Sequence, residues 1–187
     1  MASIDASTSG AGGIITTADN TGTLQLKSGG TTIATISSTG LALNAGNITL
    51  PSGATPTFSA YHSTTQSISS TTWTKCTFNT EKFDTNSNYD NATNYRFTPT
   101  VAGYYVITST IASESSLSYL YAELRKNGAS EILSIGTATN ATGTCVTGIM
   151  YLNGSTDYVE VWCFASSGCN LANNAYKTFT GAMVRSA

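Results

Sequence analysis

The chain contains a single histidine, His62, and this one imidazole limits the acid–base and metal chemistry open to it. A Ser/His/Asp or Cys/His triad would have to be built around it, and a metal site would lack a second imidazole. His62 stands among Tyr61, Ser63 and Thr64 at the expected end of a strand, so a structural or surface role is the expectation. Glycoside cleavage needs two facing carboxylates in a cleft. The glutamates Glu114, Glu123, Glu131 and Glu160 fall in different segments with no pairing logic, and no enzymatic activity is expected. Asp84, Asn86 and Asp90 come nearest to a cation-binding loop, with Asp157 a further acidic oxygen near a turn. The run lacks the remaining ligands and the glycine of an EF-hand, and its Asp and Asn read first as local turn formers in a solvated loop. No metal or cofactor is expected from the residues themselves.

The cysteines Cys76, Cys145, Cys163 and Cys169 contain no CxxC pair, which argues against a zinc cage. Cys163 alternates with Val159, Val161 and Ala165 in the manner of a small core residue. A bridge from Cys163 to Cys169 across a hairpin end is the alternative, and a reducing cytoplasm disfavours it. Tyr104, Tyr105, Tyr119, Tyr121, Tyr158 and Trp162 alternate along expected strands. Such rings can fill a core, line an oligomer axis or stack on sugars at loop tips. Core plus interface is the expectation.

The elements that must position these residues follow from composition. Only 10% of the 187 residues are charged and the net charge is −2, so polarity is carried by Ser, Thr, Asn and 17 Gly. Thr favours strands, whereas Gly, Asn and Ser favour turns, and helical periodicity is absent, so the chain reads as all-β. Its eight basic residues are scattered, which removes the footprint of a nucleic-acid binder. No apolar run is long enough to span a membrane. The start, Met1 to Asp5, has no basic and apolar leader pattern, so synthesis and assembly in a cytoplasm are expected, and the four Asn-x-Ser/Thr sequons read as incidental.

Residues 1–20 are small, polar and Gly-rich and read as a flexible attachment arm. Residues 21–55 hold very short apolar segments, at Leu24 to Leu26, Ile33 to Ile36, Leu41 to Leu43 and Ile48 to Leu50, separated by turn signals. Such a meander is too small to bury its own core, whereas three copies around one axis would, so it reads as a trimeric β stem. A small sheet packed on the main domain is the alternative. After Pro51, Gly53 and Pro56 the strands lengthen, and residues 56–187 read as the main domain. Expected strands are Thr57 to Tyr61, Thr72 to Phe78, Gly103 to Ala112, Tyr119 to Lys126, Ser130 to Ile135, Thr144 to Leu152, Tyr158 to Ala165 and Lys177 to Val184, with Glu81 to Thr93 a long loop. Asn127-Gly128 is a strong hairpin signal, and Pro99 with Gly103 marks a corner leading into the central strand.

Phe78, Asp84, Tyr89, Phe97, Gly103 and Tyr105 fall in an order and spacing that resembles the signature of the globular head of complement component 1q, a relative of tumour necrosis factor. FDTNSNYD (Phe83 to Asp90), RFTPTVAGYY (Arg96 to Tyr105), LRKNG (Leu124 to Gly128) and YLNGSTDYVEVW (Tyr151 to Trp162) carry the likeness, which covers about two thirds of the chain. Ile107 replaces an expected Phe, Ser109 an expected aromatic, and the gap from Tyr89 to Phe97 is one residue longer. The resemblance implies a ten-strand jelly-roll sandwich, a homotrimer, core and interface roles for the signature residues, and in some relatives a calcium ion, for which Asp84, Asn86 and Asp90 are the candidates here. The complement protein's collagen stalk is missing. Thr17 to Leu43 instead resembles short β segments of tail fibres and other surface proteins of tailed bacteriophages. Together these imply a virion structural protein on the particle surface. It would be anchored to a capsid or tail protein through residues 1–50 and would cement or decorate the capsid. The rivals are a tail-fibre tip that binds a host-surface receptor or glycan, and a free carbohydrate-binding or innate-recognition module.

Overall fold

The computed structural model describes residues 23–38, 40–43, 55–173 and 177–187. The chain divides into two compact units, Met1–Leu50 and Pro51–Ala187. The arm of residues 1–20 and the segment Ile48 to Leu50 lie outside the described residues.

In the first unit, β1 (Leu24–Ser28), β2 (Thr31–Ser37) and β3 (Gly40–Leu43) form an antiparallel meander in the order β1-β2-β3. Ala34, in the middle strand, is its only buried apolar residue among those described.

The second unit holds β4 (Thr57–Tyr61), β5 (Gln66–Ile68), β6 (Thr74–Lys75), β7 (Thr80–Asp84), β8 (Tyr89–Asp90), β9 (Arg96–Phe97) and β10 (Ala102–Lys126). It continues with β11 (Ala129–Asn153), β12 (Val159–Ala165), β13 (Cys169–Leu171) and β14 (Thr178–Ser186). No helix occurs among the described residues. The organising element is the hairpin of β10 and β11, each 25 residues long. Asn127 and Gly128 turn it with φ of 52° and 80°, the left-handed pair that an Asn-Gly hairpin requires.

This hairpin contributes to both layers of a sandwich. The first half of β10 pairs with β14, which carries β4 and then β7, and its other edge pairs with Gly143 to Asn153 of β11. The second half of β10 pairs with β12 and with the first half of β11, while β12 carries β9 and β6, and β9 carries β8. The hairpin changes layers between Ala112 and Tyr119, where the ladder slips twice and Ser113 pairs instead with Leu171 of β13. Bulges of this kind bend and twist a strand without ending it. The expected strands divide this hairpin into four, with one break in β10 around the polar run Ser113 to Ser116 and another in β11 between Ile135 and Thr144. The β10 run holds no Pro or Gly, so nothing in it stops the backbone from remaining extended, and β11 stays paired to it through Gly136 and Gly143. Conversely, Thr72 to Phe78 shrinks to the two residues of β6, and the expected loop of Glu81 to Thr93 contributes β7 and β8.

Candidate functional site

The signature aromatics converge in the core. Phe58 stacks on Phe97 at 4.2 Å and on Tyr89 at 5.2 Å, and meets Phe179 edge-on at 4.9 Å. Tyr105 meets Phe97 at 5.6 Å, and Phe78 joins through Phe179 at 5.7 Å. The two buried phenols keep their polar ends satisfied: Tyr89 donates to the Phe78 carbonyl at 2.8 Å and Tyr105 to the Val101 carbonyl at 2.6 Å. Gly103 lets β10 approach β14, since a Cβ there would lie 2.5 Å from the Arg185 carbonyl oxygen. Ile107 and Ser109, the two departures from the signature, also face inward and are fully buried. The six signature positions thus build and brace the fold within one protomer.

The acidic residues of the 84–90 loop are occupied by their own backbone. Asp84 accepts hydrogen bonds from Asn86 N at 3.1 Å and Tyr89 N at 2.6 Å. Asp90 accepts from the backbone N–H groups of Ala92, Thr93 and Asn94 and from Asn94 Nδ2. These bonds, with the Thr93 N–H foremost, hold the Asp90 carboxyl down at about 2. The loop is a set of Asx turns, and among the described residues no group of three or more His, Cys, Asp or Glu is placed to hold a metal.

His62 is buried against Phe78 at 4.3 Å, and neither ring nitrogen makes a well-formed hydrogen bond. Burial lowers its pKa from 6.5 to about 4, opposed more weakly by the Thr77 backbone. The neutral ring is tolerated and the cation is not, so His62 should cost the head stability as pH falls from 6.5 towards 4, a contribution that levels off below 4, where protonation of Asp90 takes over as pH falls towards 2. The full span is worth about 3 kcal/mol. Unfolding midpoints measured at pH 7, 5 and 4 should show this slope, and His62→Leu should remove it whatever it does to absolute stability. An unchanged slope in the variant would refute the assignment.

All four cysteines are free, so the bridge considered for Cys163 and Cys169 is not formed. Cys163 sits opposite Ala122 and its thiol donates to the Thr74 carbonyl, whereas Cys169 pairs across β5 with Ile68. Burial pushes the Cys76 thiol well above its usual value, which leaves no reactive thiolate there.

Two sheet faces point away from the core. On the second layer, β10 and β12 oppose Tyr121 to Phe164, Glu123 to Trp162 and Arg125 to Glu160. Glu123 is paired with Arg125 at 2.5 Å, and Glu160 with Lys75 and with Trp162 Nε1 at 2.8 Å. Arg125 lies 4.2 Å from the Trp162 ring and 5.2 Å from that of Trp73. Tyr119, Tyr121 and Phe164 stack within 5.0 to 6.1 Å of one another. The ring faces are therefore turned towards each other or towards cations. The two buried carboxylates, which sequence reasoning left scattered, meet in one ion-paired ladder. Glu114 and Glu131 are exposed and apart from it.

The outer face of the first layer differs. Its cross-strand rows are Tyr104–Tyr151, Ala182–Val106–Ile149 and Thr180–Thr108–Thr147. Ile149 is 64% exposed and Val184 57%, with Tyr104, Tyr151 and Phe83 also exposed. Arg185, the cross-strand partner of Tyr104, is the one charge in these rows, and Lys126 sits 5.7 Å over the Tyr151 ring. Two shallow cavities of about 600 and 300 Å³ indent the face, one lined by Tyr104, Ile149 and Val184, the other by Phe58, Phe83 and Val106. Sequence alternation marked Tyr104 and Tyr105 as opposite-facing but not which of them faced solvent.

A two-layer all-β sandwich with this hairpin and this aromatic core defines a jelly roll of the complement 1q and tumour necrosis factor type. The C1q domain model matches residues 57–184, and the chain belongs to that family. The globular domain of zebrafish complement 1qA protein is 20% identical, with a TM-score of 0.51 over 71% of this chain and 99% of that one. Murine APRIL, in its structure at pH 8.0, is 12% identical with a TM-score of 0.56, covering 70% of this chain and 99% of that one. No curated protein matches. Domains of this class are generally non-enzymatic structural or ligand-binding modules, and they typically form homotrimers.

Proposed function

We propose that the chain is a homotrimeric structural protein of a tailed-bacteriophage particle, a capsid decoration or cement protein that projects its jelly roll from the shell. The observation that carries the trimer is the outer face of the first layer, where Arg185 is the one charge among the cross-strand rows. Its exposed Tyr104, Ile149, Tyr151 and Val184 form a contiguous apolar surface of the kind that marks protein–protein contact. Its position on a virion is supported by the likeness of Thr17 to Leu43 to phage surface segments, with residues 1–50 as the attachment part. The stem of residues 21–55 is short for a free-standing fibre, which favours the capsid. The rival glycan-binding tip gains little from the second layer, where ring faces that would stack on a sugar are already covered by neighbouring rings and cations.

Light scattering of the full chain should return three times the 19.4 kDa protomer, and a stable monomer at micromolar concentration would sink the oligomer. Removing residues 1–50 should leave a folded head that no longer attaches to particles. Gold-labelled antibody on intact particles should decorate the shell, whereas label confined to the tail tip would overturn the capsid placement.

A further inference from the structure

The sheet of residues 24–43 carries its large aliphatic side chains almost entirely on one side. Across the ladder Leu24 opposes Ile36, which opposes Leu41, and Leu26 opposes Ala34, which opposes Leu43. Directly opposed residues share a face, so these six form two parallel apolar rows. The other side carries the row Gln25, Thr35 and Ala42, with Ile33. Within the protomer the Leu and Ile side chains of these rows are open: Leu24, Leu26, Ile36 and Leu43 are each more than 40% exposed and Leu41 is 60% exposed, and of the six only Ala34 is buried. Lys27, the only charged residue from Thr23 to Leu43, lies beside the bulge where the ladder slips.

We propose that this face packs against the same face of two further copies, closing three sheets into a three-sided prism with the Leu and Ile rows along its axis. The inference rests on the trimeric reading above, because a trimeric head tethers three stems at about millimolar effective concentration. The dimensions agree. Strands about 4.8 Å apart make a three-stranded sheet about 14 Å wide, and an equilateral triangle of that side has an inscribed radius of about 4 Å. Facing sheets pack about 10 Å apart, which places each about 5 Å from the layer they share. Three such sheets therefore fill their interior with one layer of side chains and leave no channel. A pair of sheets would bury the same residues but leave the third stem of the trimer open. Three-fold symmetry also sets every residue against its own copies, so a charge in these rows would meet like charges, and the rows hold none. The strand edges of β1 and β3 then meet at the corners, which removes two exposed edges per chain. Residues 1–22 of the same chain are the rival cover. They offer only Met1, Ile4, Ile14 and Ile15 as large apolar side chains, fewer than the five Leu and Ile side chains they would have to seal.

The test uses the full chain with Cys145→Ser, which removes the one exposed thiol and leaves the three buried ones. Ile36→Cys is introduced on the apolar side of β2 and, in a separate protein, Ile33→Cys on the opposite side. A short bismaleimide should link Ile36→Cys chains to one another at least tenfold more than Ile33→Cys chains. Equal linking at the two positions, or none at Ile36→Cys, overturns the prism. Loss of the Ile36→Cys preference when residues 1–20 are deleted also overturns it and assigns the cover to the arm. Light scattering on the same samples keeps the two readings apart: a trimer without the cross-link refutes the prism alone, and a monomer refutes the trimer beneath it.

Discussion

Ile149→Asp should convert the trimer into a folded monomer. Ile149 is the most exposed large apolar residue of the first layer's outer face, and it stands in the uncharged row with Val106 and Ala182. In a trimer closed over this face the substitution would bury one carboxylate per subunit among aliphatic and aromatic groups. Arg185 lines the same hollow, yet burying a carboxylate still costs several kcal/mol of desolvation, and each 1.4 kcal/mol is about tenfold in affinity, so three copies weaken assembly by orders of magnitude. The protomer should survive, because its neighbours face inwards, Gly148 against Ile132 and Met150 buried, while position 149 points outwards. Ile149→Thr keeps the β-branched shape at this strand position and should cost far less. Light scattering with circular dichroism reads both properties at once. A variant that remains trimeric at low micromolar concentration places the interface on another surface, and one that unfolds shows that the residue serves the protomer.

The contrast between Tyr104 and Tyr105 shows how far the sequence could be read. Strand alternation requires adjacent tyrosines to face opposite ways, and the Pro99–Gly103 corner locates where the strand begins. Which tyrosine is core follows only from the fold: Tyr105 reaches back to the Val101 carbonyl and Phe97, while Tyr104 lies over Tyr151 outside. The signature from Phe78 to Tyr105 was legible because its spacing is imposed by one aromatic cluster that must close. His62 was not, since its packing partner Phe78 lies on a different segment and its local context of Tyr, Ser and Thr carries no signal of burial. The single 25-residue strands were missed because Ser113 to Ser116 in β10 and the Gly-, Thr- and Asn-rich run from Gly136 to Gly143 in β11 imitate loops in composition while preserving extended backbone. The carboxylate ladder was missed for a related reason. Glu123 and Glu160 come together through a register between β10 and β12 that no local pattern announces.

Phe97→Ala is expected to be the most damaging single change to the head. Phe97 is fully buried, stacks on Phe58 at 4.2 Å and meets Tyr105 at 5.6 Å. Large-to-small changes at such aromatic sites cost about 3–5 kcal/mol, a large part of the roughly 5–15 kcal/mol that holds a typical domain together. Local backbone pairing can do little to absorb the loss, because β9 is only Arg96–Phe97, and Phe97 is the residue that registers both Val159 of β12 and Tyr89 of β8. Emptying the site therefore removes the side chain that pins β8 and β9 to the second layer as well as the ring contacts. Tyr89→Phe keeps the ring and deletes only the hydrogen bond to the Phe78 carbonyl, and should cost about 1–2 kcal/mol. Subunit association would add a concentration-dependent contribution to either measurement. Both changes are best made in the Ile149→Asp background, with urea midpoints giving the difference between them. If Phe97→Ala costs no more than Tyr89→Phe there, the aromatic cluster is not what fixes the second layer, and the brace must lie in the ion-paired ladder of Glu123, Arg125, Glu160 and Lys75 on its outer face.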